Sequence, residues 1–271
     1  SGPKGRILKE DLHDYVKNAL KDQSQNLNIP QQPEIDFSKW GATKIEKLSK
    51  FQKSSLKNLH SSWITIPHVT QHDDADITNL LKLREKLFKK NKIKISPLAY
   101  IVKCTAKTLK DFPEMNSSLS SKMDSLIYKD FYNIGIAVDT DAGLIVPNIK
   151  SVDQKSIVEI SSEINDLANL AKKRRLSNDH LSGGTFTISS LSGVGGKFFT
   201  PIINPPEVGI LGLSKTYDAV MIDKMKLHTK KQLPISLSYD HRVINGVYAV
   251  KFLTKLMQYL NDSKFLESSF K

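Results

Sequence analysis

Near its C-terminus the chain changes period within a few residues. The stretch "LPISLSYDHRVINGVYAVKFLTKLMQYL" alternates apolar and polar residues as far as Tyr239, turns between Arg242 and Gly246, and then repeats apolar residues at helical spacing. Alternation places Leu237 and Tyr239 on one face of a strand, and the 3.6 period makes the segment from Gly246 a helix. A strand delivered straight into an amphipathic helix demands that helix and sheet bury their apolar faces on each other, the arrangement of a layered α/β domain. His241 stands at that junction and Asn245 follows four residues on. A neutral imidazole is a base near pH 7, although a lone histidine beside an apolar strand is more often structural.

The rest of the chain extends the same picture. Residues 1–17 carry Ile7, Leu8, Leu12, Tyr15 and Val16 at the spacing of a short amphipathic helix, too little to form a core alone. Residues 18–35, rich in Gln, Asn and Pro, read as a flexible linker. From Asp36 the pattern is globular. Ser49 and Gln52 form a capping box ahead of a helix carrying Leu48, Phe51, Ser55 and Leu59, and "WITIPHVTQHDDADI" reads as a strand. "DITNLLKLREKLF" is predicted as a helix with Asp76 as N-cap and Leu80, Leu81, Leu87 and Phe88 on one face. Ser96 and Pro97 open another helix. "SLIYKDFYNIGIAVDTDAGLIVPNIK" reads as two or three strands broken at Asp139–Gly143, and Ser156 with Glu159 caps the next helix. Strands follow at "TFTISS", "EVGILGLS" and "LPISLSY", and then the terminal helix. Helices and strands mix without strict alternation, so residues 36–271 are expected to form one α/β domain on a mixed sheet.

Composition removes several function classes. The formal charge of +12, from 40 basic and 28 acidic residues, could mark a nucleic-acid binder. The lysines are scattered, however; "KKRR" at Lys172 to Arg175 is the only dense run, and no zinc-finger spacing or basic heptad helix accompanies it. An attraction for an anionic ligand is the simpler reading. Cys104 is the single cysteine, which rules out an internal disulfide framework and favours a reducing compartment. Its apolar helical neighbours make it a buried structural thiol. No apolar run reaches the ~18 residues of a membrane span.

Chemistry-bearing residues are few. His68 and His72 share a strand face beside Asp73 and Asp74, but no third ligand cluster accompanies them, and metal binding is rejected. His13, His60, His180 and His228 lie in polar surroundings and read as solvated. "GGTFTISSLSGVGG" brackets an alternating strand with glycines, and a hydroxyl on such a strand could donate to a developing oxyanion; from that segment alone an ordinary threonine-rich strand remains the better reading. Neither a nucleophile elbow nor a phosphate-binding loop is present.

Taken in order, "WITIPHVTQHDDADIT", "GIAVDTDAGLIVPNIK", "TFTISSLSGVGG…FFTPIINPPEVGILGLS" and "PISLSYDHRVINGVYAVKFL" resemble the catalytic domain of the dihydrolipoyl acyltransferases, the cores of 2-oxo-acid dehydrogenase complexes. "DFSKWG" and "PHVTQHDDADIT" are closest in wording to the acetyl-transferring, pyruvate dehydrogenase branch, with succinyl or branched-chain transfer and a non-catalytic core as the alternatives. The resemblance implies a chloramphenicol-acetyltransferase-like two-layer fold with a mixed sheet, built as trimers with active sites between subunits, and a 24-subunit cubic core. It implies coenzyme A as substrate and a lipoyl group carried on a domain outside this chain. It further implies pyruvate dehydrogenase and dihydrolipoamide dehydrogenase components as partners, without nucleic acid or membrane, and a bacterial cytoplasmic location, or else the mitochondrial matrix or a plastid. By the same resemblance His241 is the general base, Ser189 the oxyanion-stabilising hydroxyl of an adjacent subunit, and Asn245 stands where an aspartate is usual. Residues 1–17 resemble the tail of a peripheral-subunit-binding domain.

Overall fold

The computed structural model describes residues 33–271 except 142, 224 and 225, together with Lys9 and His13. The expected helix over 1–17 and most of the linker therefore lie outside the described residues. The chain divides into two units, residues 1–47 and 48–271. In the first, one turn of 3-10 helix at Phe37–Lys39 is capped by Asp36, whose carboxylate accepts from the Ser38 backbone at 3.1 Å.

In the second unit α1 (Lys50–Thr65) begins at the expected capping box, Ser49 accepting from Gln52 N–H while the Gln52 side chain accepts from Ser49 N–H. It runs on through Trp63 and Ile64, which the sequence pattern assigns to a strand. A capped helix continues until something stops it, and Pro67 does so by pushing Ile66 out of the helical region (φ −111°, ψ 118°). Strand β1 is accordingly shorter, His68–Asp76. Asp76 ends that strand, and Ile77 is the N-cap of α2 (Thr78–Asn91); the Asp76 carboxylate still accepts from Thr78 N–H at 3.0 Å, one position early. The buried face of α2 is Leu80, Leu83 and Leu87, with Phe88 turned to solvent.

Helix α3 (Pro97–Asp111) starts at Pro97 as expected and is buried almost all round. Cys104 lies fully inside, and burial pushes its thiol far above the ordinary range. Lys103 is the exception to an apolar interior. Its ammonium donates to the carbonyls of Val152, Asp153 and Lys155 at 3.4, 2.9 and 2.6 Å, which uses all three donors and ties the turn before the next helix to α3.

Five short strands replace the two or three expected between Ser125 and Lys150: β3 (Leu126–Tyr128) pairs with β2 (Ser117–Leu119), β5 (Val138–Thr140) with β6 (Gly143–Ile145), and β4 (Ile134–Ile136) with β7 (Asn148–Ile149). Helix α4 (Ile157–Lys172) carries the predicted Ser156/Glu159 capping box, and its first N–H groups also donate to the carbonyls of Ser269 and Phe270. A four-residue helix α5 (Asn178–Leu181) precedes β8 (Phe186–Ser190) and β9 (Gly209–Leu213). Beyond β9, a strand that the sequence reading missed, β10 (Tyr217–Asp223), pairs with β11 (Lys226–Asp240), which starts well before "LPISLSY". This hairpin is lysine-rich and buries little, so it lacks a core-facing alternation to read.

The main sheet runs β1-β11-β9-β8-β4-β7, with β10 extending the β9 edge of β11. The β4–β8 and β8–β9 pairs are parallel and the others antiparallel, giving the expected mixed sheet. Ile235, Leu237 and Tyr239 point from β11 into the core that they share with α6 (Gly246–Asn261), where Phe252, Leu253 and Leu256 are fully buried. Each such side chain contributes about 1.5–3 kcal/mol. A last helix, α7 (Ser263–Ser268), folds Leu266 into the same core.

Candidate active site

The opposite face of the sheet is polar and yet covered. Ser236, Ser238 and Asp240 alternate with the core residues of β11 and are almost inaccessible. A strap from Phe199 to Glu207 lies over part of this face. Gly212 on β9 permits the approach, since a Cβ there would meet the Phe199 ring at 2.6 Å. Ile203 is held on both sides: Ser62 Oγ donates to its carbonyl at 2.6 Å, and its N–H donates to His68 Nε2 at 3.0 Å. His68 Nδ1 in turn lies 2.8 Å from the Ile66 carbonyl. A donor on one nitrogen and an acceptor on the other are satisfied together only by the neutral Nδ1–H tautomer. His68 is thus a structural clasp, and His72, bonded to Ser236 Oγ at 2.8 Å, is its neighbour on the same face. Among the described residues no group of three potential ligands gathers around them.

Ser189 lies near the end of β8, half-buried, and lines a cavity of about 450 Å³ whose walls include Ala137, Val146, Ile210 and the strap. Thr187, two residues earlier on the same strand face, is buried and donates to the Glu207 carboxylate at 2.7 Å. Burial raises the pKa of Glu207 to about 7. Sequence reasoning passed over this residue; an acid set between two prolines and the wholly apolar "VGIL" was the available signal.

His241 is exposed immediately beyond β11. Its N–H donates to the Pro67 carbonyl at 3.1 Å, and its ring packs against that of Tyr239 with centroids 5.9 Å apart. The turn that follows is closed from both ends. The Asp240 carbonyl accepts from Val243 and Ile244 N–H. The buried Asp240 carboxylate grips the Arg242 guanidinium, with Nη2 to Oδ2 at 2.7 Å and Nε to Oδ1 at 3.0 Å, which raises the Arg242 pKa further. At the far end Asn245 is the N-cap of α6, its side-chain oxygen accepting from Tyr248 N–H at 2.9 Å. Asn and Asp cap equally well. The asparagine therefore does the local structural work that an aspartate would do, without adding a charge beside the imidazole. His60, expected in solvent, is half-buried in α1, and its Nε2 has no partner among the described residues.

One chain does not bring Ser189 and His241 together. The register sets Ser189 level with Gly212 and Gly212 level with Ser236, two strands away, while His241 lies five residues beyond Ser236. At ~4.8 Å per strand and ~3.3 Å per residue their Cα atoms are roughly 20 Å apart. The cavity containing Ser189 is accordingly lined without His241.

The mixed sheet with its helical layer is the fold of chloramphenicol acetyltransferase, to which the chain is similar at a TM-score of 0.50 and 11% identity over 75% of this chain and 94% of that one, a likeness of fold alone. The chain belongs to the 2-oxoacid dehydrogenases acyltransferase (catalytic domain) family, which matches residues 41–267. It is 44% identical, over 97% of its length, to the dihydrolipoyllysine-residue acetyltransferase component of the pyruvate dehydrogenase complex of Cupriavidus necator, and spans 50% of that protein. It likewise spans about half the length of the corresponding components from Pseudomonas aeruginosa and Haemophilus influenzae. Among solved structures it is similar to dihydrolipoamide acetyltransferase from Azotobacter vinelandii, with a TM-score of 0.84 and 41% identity over 88% of this chain and 100% of that one. That structure addresses a serine, a histidine and an asparagine in the catalytic mechanism, at the spacings, residue for residue, that separate Ser189, His241 and Asn245 here. A second similar structure, at 42% identity and a TM-score of 0.84 over 88% of this chain and 100% of the other, is the cubic core of the pyruvate dehydrogenase multienzyme complex.

Proposed function

We propose that this chain transfers an acetyl group between dihydrolipoamide and coenzyme A as the catalytic core of a pyruvate dehydrogenase complex. The observation that carries the reading is the pairing of two facts: Ser189, His241 and Asn245 match the catalytic trio of a 41% identical acetyltransferase in type and spacing, yet Ser189 and His241 lie at separate places in one chain. A site shared between adjacent subunits reconciles them, and the trimer that the resemblance implies supplies each histidine with a neighbour's serine.

In that site His241 takes the proton of the incoming thiol, from coenzyme A or dihydrolipoamide. The thiolate adds to the carbonyl carbon of the acetyl thioester, and the resulting oxyanion accepts a hydrogen bond from Ser189 of the adjacent subunit. Collapse breaks the original carbon–sulfur bond, and the departing thiolate recovers the proton from the His241 imidazolium. No acetyl-enzyme forms, because both substrates meet in one site and proximity supplies much of the acceleration. Asn245 and the Asp240–Arg242 pair hold the turn that aims the ring. The basic charge of the chain draws in the phosphates of coenzyme A. On this reading residues 36–271 are the catalytic domain, 18–35 a linker and 1–17 a remnant of a peripheral-subunit-binding domain. Trimers assemble into a 24-subunit cubic core with pyruvate dehydrogenase and dihydrolipoamide dehydrogenase bound, in the bacterial cytoplasm.

The test is acetyl transfer from acetyl-CoA to free dihydrolipoamide by the wild-type chain, His241→Ala and Ser189→Ala. The expected result is wild-type turnover that collapses in His241→Ala and falls roughly 10²–10³-fold in kcat in Ser189→Ala, the cost of one oxyanion donor. A folded, assembled wild type without turnover would make the chain a structural core instead.

A further inference from the structure

The Ser189 cavity is held from behind by a carboxyl group that the reaction does not touch. Glu207, at the end of the strap, is 3% exposed. Thr187 Oγ1 donates to its Oε2 at 2.7 Å, and Asn204 Nδ2 donates to its Oε1 at 3.4 Å. Thr187 and Asn204 both line the cavity, one from β8 and the other from the strap, whereas Glu207 does not. A single carboxyl group therefore bridges two walls without entering the space between them.

The carboxyl group is crowded on the Gly184 side as well. A Cβ on Gly184 would lie 3.0 Å from Glu207 Oε1 and in closer contact still with Asn148 Oδ1, so both oxygens crowd the same side of that glycine. Asn148 Oδ1 is buried and has no donor among the described residues, its amide nitrogen being directed to the His180 carbonyl at 3.3 Å. Burial beside a second acceptor disfavours the charged form of the acid, and the protonated carboxyl can still accept from Thr187 and Asn204. The pKa of about 7 that burial confers, with Lys129 the charged neighbour acting against it, keeps the protonated form available near neutrality.

We propose that Glu207 is a positioning residue for acetyl transfer: by tying Thr187 of β8 to Asn204 of the strap it sets the gap in which the thioester carbonyl meets the Ser189 hydroxyl. This rests on the acetyl-transfer reading above. Ser189 lies two residues beyond Thr187, so a slackened bond displaces the oxyanion donor relative to the opposing wall, an error that costs rate in the transition state more than it costs binding.

The experiment is steady-state acetyl transfer between acetyl-CoA and dihydrolipoamide by the full chain, with kcat, both KM values and the melting temperature recorded for Glu207→Leu, Glu207→Gln, Thr187→Val and Ser189→Ala. Glu207→Leu is expected to lower kcat roughly 10- to 100-fold while each KM stays within about twofold. Glu207→Gln keeps both ties, its oxygen accepting from Asn204 and its amide donating to the Thr187 hydroxyl, and it is expected to restore kcat to within about threefold of wild type. Should Glu207→Leu fail to fold, Thr187→Val cuts the same bond at nearly constant shape and is expected to show the same loss of kcat. An unchanged kcat in the variants that fold, a loss confined to KM, or a Glu207→Gln enzyme as slow as Glu207→Leu would overturn the proposal while leaving the acetyl-transfer reading intact, provided Ser189→Ala is slow. A Ser189→Ala enzyme at wild-type rate would overturn Ser189 as the oxyanion donor, and with it the role given to Glu207.

Discussion

Asp240 and Arg242 form a two-pronged ion pair that straddles His241: the carboxylate is buried at the end of β11, the guanidinium reaches back over it, and the Arg242 N–H donates to the same carboxylate at 3.0 Å. The pair holds the strand end and the turn from which the His241 ring projects.

Removing the cation should therefore act on stability and rate together. Arg242→Ala leaves the Asp240 carboxylate buried and unpaired, a change that costs about 3–5 kcal/mol where both partners are buried. Arg242 is one-third exposed, which reduces the expected loss to about 2 kcal/mol. Urea unfolding should show that loss, and kcat should fall while the KM for coenzyme A changes little.

The capping role of Asn245 predicts a split between two substitutions. Asn245→Ala removes the acceptor for Tyr248 N–H and should cost about 1 kcal/mol, whereas Asn245→Asp should stay within a few tenths of wild type. Chemical denaturation measures the first difference. Retention of most of the acetyl-transfer rate by Asn245→Asp, alongside a slower Asn245→Ala, would show that the position serves geometry rather than charge.

Glu207 predicts a pH signature in stability that can be isolated from every other titrating group. Its folded pKa, near 7, exceeds the unfolded value near 4.5, so the folded state keeps a proton that the unfolded chain has lost. The stabilisation is complete below about pH 4.5 and is lost as pH rises through 7, a change of the order of 3 kcal/mol. The wild type should therefore lose stability relative to Glu207→Gln between pH 5 and 8, and parallel unfolding curves of the two proteins over that range provide the measurement. A constant difference would mean that Glu207 is ionised throughout.

Lys103 is a half-buried cation whose partners are carbonyl dipoles. Burial lowers its pKa, but three acceptors hold its protons. Lys103→Met keeps the stem and strands those carbonyls, with an expected cost of about 2–3 kcal/mol. Differential scanning calorimetry should record a melting point lower by roughly 5–10 °C.

Features whose causes are local in the chain are legible in the sequence. Ser49 with Gln52 and Ser156 with Glu159 each satisfy orphan N–H groups of their own helix, so the residues that start those helices sit within three positions of one another. Cys104 and its neighbours show their burial through composition, and the helix from Gly246 shows its period. Asn245 as a cap is within reach for the same reason. Sites that depend on pairing between distant segments are not legible. The β10–β11 hairpin takes its register from strand contacts rather than from an apolar face, and Trp63 and Ile64 are β-formers carried into a helix because its cap lies upstream and its stop downstream. Glu207 shows nothing locally of Thr187, Asn204 or Asn148, and the His68 tautomer depends on an N–H 135 residues away.

The sequence by itself determined the helix starts, the strand-to-helix junction at His241 and the order of motifs that places the chain among the 2-oxo-acid dehydrogenase acyltransferases, because caps, periods and motifs act over a few residues. The tertiary structure decided that Ser189 and His241 stand roughly 20 Å apart in one chain and that a buried acid braces the serine's cavity. Those outcomes follow from sheet register and burial, and both are properties of segments brought together from far apart in the chain.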